Sequence, residues 1–161
     1  TKEIKLKYIV FGFIYGMSLS VISWLVGIIV NTILLKTPYY KKLSNFNFIP
    51  SKKVNDRIGI KYIKWIVKNT PFKFFNQSIK IKNKQTDLSQ IRYEMTIAEI
   101  GHLVGFVFVT GFVIYRSFTL NLVFGFFMML ANIIMNLYPS LLQQENKRRI
   151  GKLIKRQKIK H

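Results

Sequence analysis

Residues 8–35, YIVFGFIYGMSLSVISWLVGIIVNTILL, contain no charged side chain. A helix needs about 20 apolar residues to cross the ~30 Å hydrocarbon core of a bilayer, and this run exceeds that, with room for tilt. Lys5 and Lys7 precede the run and Lys36 ends it, so charge marks both ends. Gly12 and Gly16 form a small-xxx-small pair that lets a second helix approach closely. Two further stretches have the same apolar character: residues 95–115, MTIAEIGHLVGFVFVTGFVIY, and residues 118–142. Only Arg116 and Ser117 lie between them, so a very short turn and an antiparallel hairpin are expected. The fold class is therefore an all-α membrane protein, with three transmembrane helices, an amphipathic interfacial helix and one domain over residues 1–161.

Composition agrees with this. The chain has 161 residues, of which 50% are hydrophobic and 15% aromatic, with 26 Lys and Arg against 6 acidic residues and a net charge of +20. In a membrane protein the apolar residues meet lipid and the charges sit in loops. The 36–92 segment and the 147–161 tail carry every basic residue except Lys2, Lys5, Lys7 and Arg116. The positive-inside rule then puts both segments on the cytoplasmic face of the cytoplasmic membrane and the Arg116–Ser117 turn outside. Three spans leave the N-terminus outside despite its lysines, whereas a re-entrant first segment would return it inside, so its side stays open. A basic surface beside a bilayer favours anionic lipids. Nucleic acid, the other polyanion, is disfavoured by the apolar runs. Cys is absent, which excludes disulfides, thiolate nucleophiles and Cys-ligated metals. The first run is too long for a signal-peptide core and no small-residue cleavage site closes it, so a removable signal is not expected.

The 36–92 segment is punctuated by Pro38, Pro50 and Pro71. Asn55 or Asp56 can cap a helix there, and residues 57–69 read as one lying in the interface. Lys61, Lys64 and Lys68 share a narrow arc, and Ile60, Tyr62, Ile63, Trp65, Ile66 and Val67 fill most of the rest. A lysine stripe, a wide apolar face and an aromatic suit a membrane surface, with Lys61, Lys64, Lys68 and Trp65 as its contacts. The other reading packs this helix on protein with its lysines in water. Residues 72–86, with Phe72, Phe74 and Phe75, suggest a hairpin or a loop among headgroups.

The second span carries Glu99 and His102, costly groups for any lipid-facing position. Three residues apart, they are neighbours on a helix surface. A carboxylate beside an imidazole can fix its tautomer and raise its basicity. The same spacing occurs in carboxylate-bridged metal sites of helix bundles. Those need further carboxylates from facing helices, which the other spans lack, so no metal is expected. On the third helix Asn121, Gly125, Asn132, Asn136, Ser140, Gln143 and Asn146 fall within about a third of the circumference. Unpaired amides in hydrocarbon are expensive, so this stripe must face helices or a polar cavity. Hairpin pairing sets Glu99 and His102 level with Asn132, Asn136 and Tyr138, where Pro139 can open the helix locally. Such stripes also serve simply as glue between helices.

The run Ala98-Glu99-Ile100-Gly101-His102, then Asn132-x-x-x-Asn136-x-Tyr138-Pro139 and Gln144-x-Asn146-x-Arg148, resembles the glycosyl-diaponeurosporenoate acyltransferases. Pro38, Phe46, Phe48, Gly59 and the basic aromatic run to Lys73 extend the resemblance upstream, so that it spans most of residues 36–150. The first span departs from it, being longer and more continuous. That family consists of small membrane enzymes assigned the last step of staphyloxanthin synthesis, transfer of a fatty acyl group to a glycosylated carotenoid. The resemblance implies acyl transfer to a hydroxyl of a lipid-like acceptor. His102 would be the general base, oriented by Glu99, and Asn132 and Asn136 would polarise the acyl carbonyl. Substrate contacts would fall to Tyr138, Gln143, Asn146 and Arg148. Arg148 and nearby lysines would hold the phosphate of an acyl-CoA or acyl-carrier donor, with no resident cofactor. Without a Cys or an adjacent Ser, direct transfer is favoured over an acyl-enzyme. A reading from another class is a non-catalytic accessory subunit of a larger membrane complex, bound to partner membrane subunits. A third is nucleic-acid or ribosome contact through the tail, KRRIGKLIKRQKIKH.

Overall fold

The structure, a computed structural model, describes residues 2–45, 47–49, 52–69 and 87–159. The suggested hairpin or loop at 72–86 lies outside the described residues. The helices are α1 (Lys2–Leu34), α2 (Tyr39–Asn45), α3 (Lys52–Arg57), α4 (Ile60–Asn69), α5 (Leu88–Thr119), α6 (Leu122–Asn132) and α7 (Tyr138–Ile159), with a π-helical turn, Ile133–Leu137, joining α6 to α7. Three helical stretches are long and apolar enough to cross a membrane: Lys2–Leu34, Leu88–Thr119 and Leu122–Gln157. The protein is thus an integral membrane protein, all-helical among the described residues. Its first span is one unbroken helix rather than a re-entrant hairpin.

The hairpin turn falls later than its sequence suggests, on Leu120 and Asn121 instead of Arg116 and Ser117. Arg116 stays helical because its guanidinium lies over the rings of Tyr15 and Tyr115, at 5.5 and 5.7 Å; ring faces attract a cation. Ser117 stays helical because its hydroxyl donates back to Val113 O (2.7 Å) and fits against Gly125. Asn121 then starts α6, its Oδ1 accepting from Val123 N at 2.8 Å. At the other end of α5, Asp87 Oδ1 accepts from the backbone N–H of Ser89 and Gln90, so this helix begins before residue 95. The third rod also passes residue 142 and continues through the basic tail to Ile159.

The core is a seam of small and polar residues. α1 buries Gly12, Gly16, Ser20, Ser23, Gly27 and Asn31 and turns Phe11, Ile14, Val21, Leu25, Ile29 and Ile33 outward. That inversion suits lipid, where apolar faces gain nothing by burial and close packing is what holds helices together. Gly12 and Gly16 lie on the backbone of Phe124 and Met128, and Gly27 on that of Gly101. α1 therefore runs parallel to α6 and antiparallel to α5. Its N-terminus shares one end of the bundle with the Leu120–Asn121 turn, and the basic segments gather at the other. Asn31 Nδ2 ties α1 to Ile97 O at 2.8 Å.

α4 is the expected amphipathic helix, and it starts at Ile60. Gly59, at φ 81°, takes the left-handed conformation that glycine adopts without steric cost, which splits the expected 57–69 helix into α3 and α4. Ile60 is buried and Ile63 and Val67 half-buried on the protein side, while Lys61, Tyr62, Trp65, Ile66 and Lys68 are exposed. Tyr138 Oη donates to Ile58 O at 2.7 Å and pins the chain just before the Gly59 bend.

Two measurements test this arrangement. With no native Cys, Thr119→Cys and Ser89→Cys each carry a sole thiol. An impermeant maleimide should label the first on intact cells and the second only after permeabilisation; the reverse would invert the topology. In the seam, a Cβ at Gly16 would meet Met128 O at 2.7 Å and Ala131 Cβ at 2.9 Å. Gly16→Val should cost about 1–3 kcal/mol by overpacking, measured by steric-trap unfolding. Gly111, where a Cβ meets nothing within 4 Å, should accept Ala within about 0.5 kcal/mol. Equal effects at the two glycines would show that close approach is not what holds α1.

Candidate active site

Polar side chains occupy three levels between α5 and the third rod. At the deepest level Asn132 Nδ2 donates to Phe106 O (3.0 Å) and Thr110 Oγ1 (3.2 Å). One turn on, Asn136 Nδ2 donates to Asn132 Oδ1 (2.9 Å) and to Ser23 Oγ of α1 (3.1 Å). Both asparagines are fully buried. A side-chain amide has two N–H hydrogens, so each asparagine's donors are already matched by acceptors within the protein. The π turn lies here, with Tyr138 N–H donating five residues back to Ile133 O. Pro139 follows directly. Its ring cannot donate and would crowd the carbonyl four residues back in a regular α-helix, and a π turn is one way to relieve that.

The second level holds a buried ion pair. Glu99 Oε2 pairs with Lys147 Nζ, at 3% and 6% side-chain exposure. Glu99 Oε1 accepts from Gln144 Nε2 at 3.1 Å, and Glu99 O accepts from Ser140 Oγ at 3.1 Å. Gln144 Oε1 in turn accepts from Ile49 N. Glu99 thus engages α7 instead of orienting His102. The third level is the rim, where Glu145 pairs with Lys64 of α4 and with Arg149. Arg148 Nη1 donates to Ile49 O (2.6 Å) and Asn47 Oδ1 (3.5 Å). Lys64 therefore turns inward, away from Lys61 and Lys68. Tyr40 of α2 is buried near this rim, and its hydroxyl pKa is pushed up to about 12 by burial, then by Tyr93 and Glu99.

His102 belongs to a different compartment. It lines a cavity of about 400 Å³ walled by α1 (Trp24, Asn31), α4 (Ile63, Val67), α5 (Ala98, His102) and the third rod (Pro139, Gln143). Ile28, Ile66 and Ile134 also line it and are 62%, 40% and 40% exposed, so the cavity opens at the surface of the bundle among apolar side chains. Three sealed polar atoms in its wall have no hydrogen-bond partner: Trp24 Nε1, Asn31 Oδ1 and His102 Nδ1. The Trp24 and His102 rings meet edge to face, with centroids 6.0 Å apart at 89°. The imidazole also interacts with the Asn136 side chain, whose Oδ1 is sealed and unpaired as well. Glu99 lines a second apolar cleft, between Val26, Val30 and Leu34 of α1 and Ile100, Val104 and Phe108 of α5.

The expected site residues therefore separate. His102 and Gln143 share the cavity. Asn132 and Asn136 form the layer behind it, Glu99 anchors α7, and Tyr138 and Arg148 hold the chain around Ile49 and Ile58. Asn146 is half-buried on α7, and Trp65, Lys61 and Lys68 are exposed on α4. Sequence reasoning missed Trp24, Asn31 and Lys147, and gave Gln144 a place in a motif but no contact. Ser140, Gln144 and Lys147 follow an i, i+4, i+7 pattern that shows once α7 is carried past residue 142. Trp24 gave no signal, since an aromatic in an apolar run reads as lipid-facing.

The family model for glycosyl-4,4'-diaponeurosporenoate acyltransferase matches residues 36–156, from just past α1 through most of α7. No curated protein and no solved structure matches the chain. On a match covering most of its length, the chain belongs to the glycosyl-4,4'-diaponeurosporenoate acyltransferase family.

Proposed function

We propose that this protein transfers a fatty acyl group to a hydroxyl of a lipid-like, glycosylated isoprenoid acceptor, with the chemistry at His102. The observation that carries this reading is an imidazole set in the wall of an apolar cavity that opens at the bundle surface among exposed apolar side chains. An acyl tail fits such walls, and a basic group beside them is what a hydroxyl nucleophile needs. An Nδ1–H contact to Asn136 Oδ1 would satisfy both sealed atoms and leave His102 Nε2 as the basic lone pair, so that Asn136 orients the ring. Nε2 accepts the hydroxyl proton as the oxygen attacks the acyl carbonyl carbon. The carbon–sulfur bond of an acyl thioester then breaks, and the proton passes to the leaving thiolate. The thioester class covers both acyl-CoA and acyl-carrier donors. Absence of Cys and the use of the Ser23 proton on Ser20 O at 2.7 Å support direct transfer. Gln143 contacts the substrate from the cavity wall. The basic segment and tail lie on the cytoplasmic leaflet, where anionic headgroups attract them.

His102→Ala should lower acyl transfer, read as product in lipid extracts, by about 10²–10⁴-fold while leaving the protein inserted and folded. Full activity in that variant would sink the mechanism, and loss of folded protein instead of product would favour an accessory, packing role. Glu99→Gln should behave differently. It leaves Lys147 charged and unpaired, and breaking a buried pair costs about 3–5 kcal/mol. Folded yield should fall, and Glu99→Gln with Lys147→Met should recover much of it, as measured by size-exclusion profile and thermal shift. A Glu99→Gln variant of normal stability and impaired turnover would return Glu99 to a direct part in catalysis.

A further inference from the structure

We propose that the outer face of the last turns of α7 docks an acidic carrier protein, which presents the acyl donor as a thioester on a phosphopantetheine arm. The inference rests on the acyl-transfer reading above and names the form in which its thioester arrives. Residues 122–142 carry no charge and, at ~1.5 Å per residue, already match the ~30 Å hydrocarbon core. α7 nevertheless runs on to Ile159. Arg149, Lys152, Lys155 and Arg156 are exposed on this extension, and residues 146–161 contain no acid and no aromatic. Arg149, Lys152 and Arg156 follow an i, i+3, i+7 pattern, which makes one stripe on a helix.

The packing of the extension separates a partner in solution from a membrane surface. Within the bundle α5 and α7 meet through polar groups, Glu99 with Ser140, Gln144 and Lys147. Past that level the contact turns apolar: Ile150 and Ile154 pack with Leu88, Ile91 and Met95 of α5. Apolar side chains inside and cations outside are the pattern of helices in water. The same packing occupies the apolar face that a helix needs in order to lie in a membrane surface. The extension therefore stands beside the first turns of α5. Along the rod Lys155 and Arg156 lie about 20 Å beyond Leu142, and headgroups take up only about 5–8 Å of that. Charges more than ~8 Å apart are largely screened at physiological salt, so these cations serve a partner in solution. Small ligands bind in concave sites, whereas this face is convex, and without aromatics it offers no stacking to nucleobases. It complements an acidic protein surface, where opposite charges steer encounter and fix orientation. The acids at the start of α5 are held locally, Asp87 by the N–H groups of Ser89 and Gln90, and Glu94 by Gln90 Nε2. Height fits the chemistry as well. Gln144 is level with Glu99, Arg149 is five residues further out and His102 three further in, so the stripe begins about 12 Å above His102 along the rods. A pantetheine arm spans that distance, bringing the thioester to His102 and the acyl tail to the cavity. After transfer the carrier leaves with a free thiol.

The test uses the full chain in nanodiscs of uncharged lipid, with a purified acyl carrier protein loaded with palmitate as probe and binding read by biolayer interferometry. The wild-type Kd should rise steeply with added salt. Lys152→Gln, Lys155→Gln and Arg156→Gln together should raise the Kd about tenfold, and the KM for the loaded carrier with it, while kcat moves little. Lys2→Gln, Lys5→Gln and Lys7→Gln remove the same charge from the other end of the bundle and should leave the Kd where it is. All six side chains are exposed, so both variants should keep the wild-type size-exclusion profile. A salt-independent Kd, no weakening by the first variant, or equal weakening by both overturns the docking surface. So does a single-stranded oligonucleotide that binds the same stripe more tightly than the carrier, or strong quenching of a fluorophore on Gln157→Cys by headgroup-labelled lipid, which would put the stripe on the membrane. Transfer from S-palmitoyl-N-acetylcysteamine but not from the loaded carrier overturns the docking proposal alone and leaves acyl transfer standing. Carrier bound without transfer from either thioester overturns acyl transfer and, with it, the carrier as donor.

Discussion

Backbone-to-backbone approach along one face of α1 is the constraint on which the rest depends. Lipid offers no hydrophobic gain for bringing helices together, so association rests on close packing and on polar bonds made across the contact. Gly12, Gly16 and Gly27 remove the side chains that would hold the backbones apart. The same face then delivers Ser23 to Asn136, Asn31 to Ile97 and Trp24 to His102. Packing and site are therefore one feature: the glycines set the distance at which three α1 side chains reach the hairpin.

The polar interior has a division of labour. Charge is confined to the rim side, where Glu99 and Lys147 neutralise each other out of water and Gln144 and Ser140 take up the remaining contacts of Glu99. A buried pair of this kind adds little net stability but makes any other arrangement of the same groups costly. It fixes the rotation of α7 against α5. The asparagine layer repeats the logic with neutral amides. Between them lies the cavity, whose walls also hold sealed polar atoms without a hydrogen-bond partner, Trp24 Nε1 and Asn31 Oδ1 on α1 and His102 Nδ1 on α5.

Much of this was legible from residue spacing. Three spans, the hairpin, the inward amide stripe and an amphipathic helix in the basic segment all follow from periods and runs. The boundaries were not, because local chemistry overruled composition: Tyr15 and Tyr115 cover Arg116 and keep α5 going, and the Gly59 conformation divides α3 from α4. The Glu99–His102 relation shows the limit of a spacing argument. Positions three apart on a helix are neighbours, yet they point about 60° apart, enough for one to reach α7 and the other to face a cavity across α1. Nothing in the sequence says which helix stands opposite each. Trp24 and Lys147 were hidden for opposite reasons, one in a run of apolar residues and the other in a run of cations.

α4 carries one more consequence. It forms a wall of the cavity through Ile63 and Val67 and exposes Tyr62 and Trp65, 74% and 67% accessible, between Lys61 and Lys68. Aromatic and lysine side chains in that order settle at the boundary between headgroups and acyl chains. A helix seated there would work as a depth gauge, setting how far below the headgroups His102 lies. On the proposed function, an amphiphile reaching this histidine would be sorted first by the distance between its polar head and its reactive atom, before any contact with its tail is made.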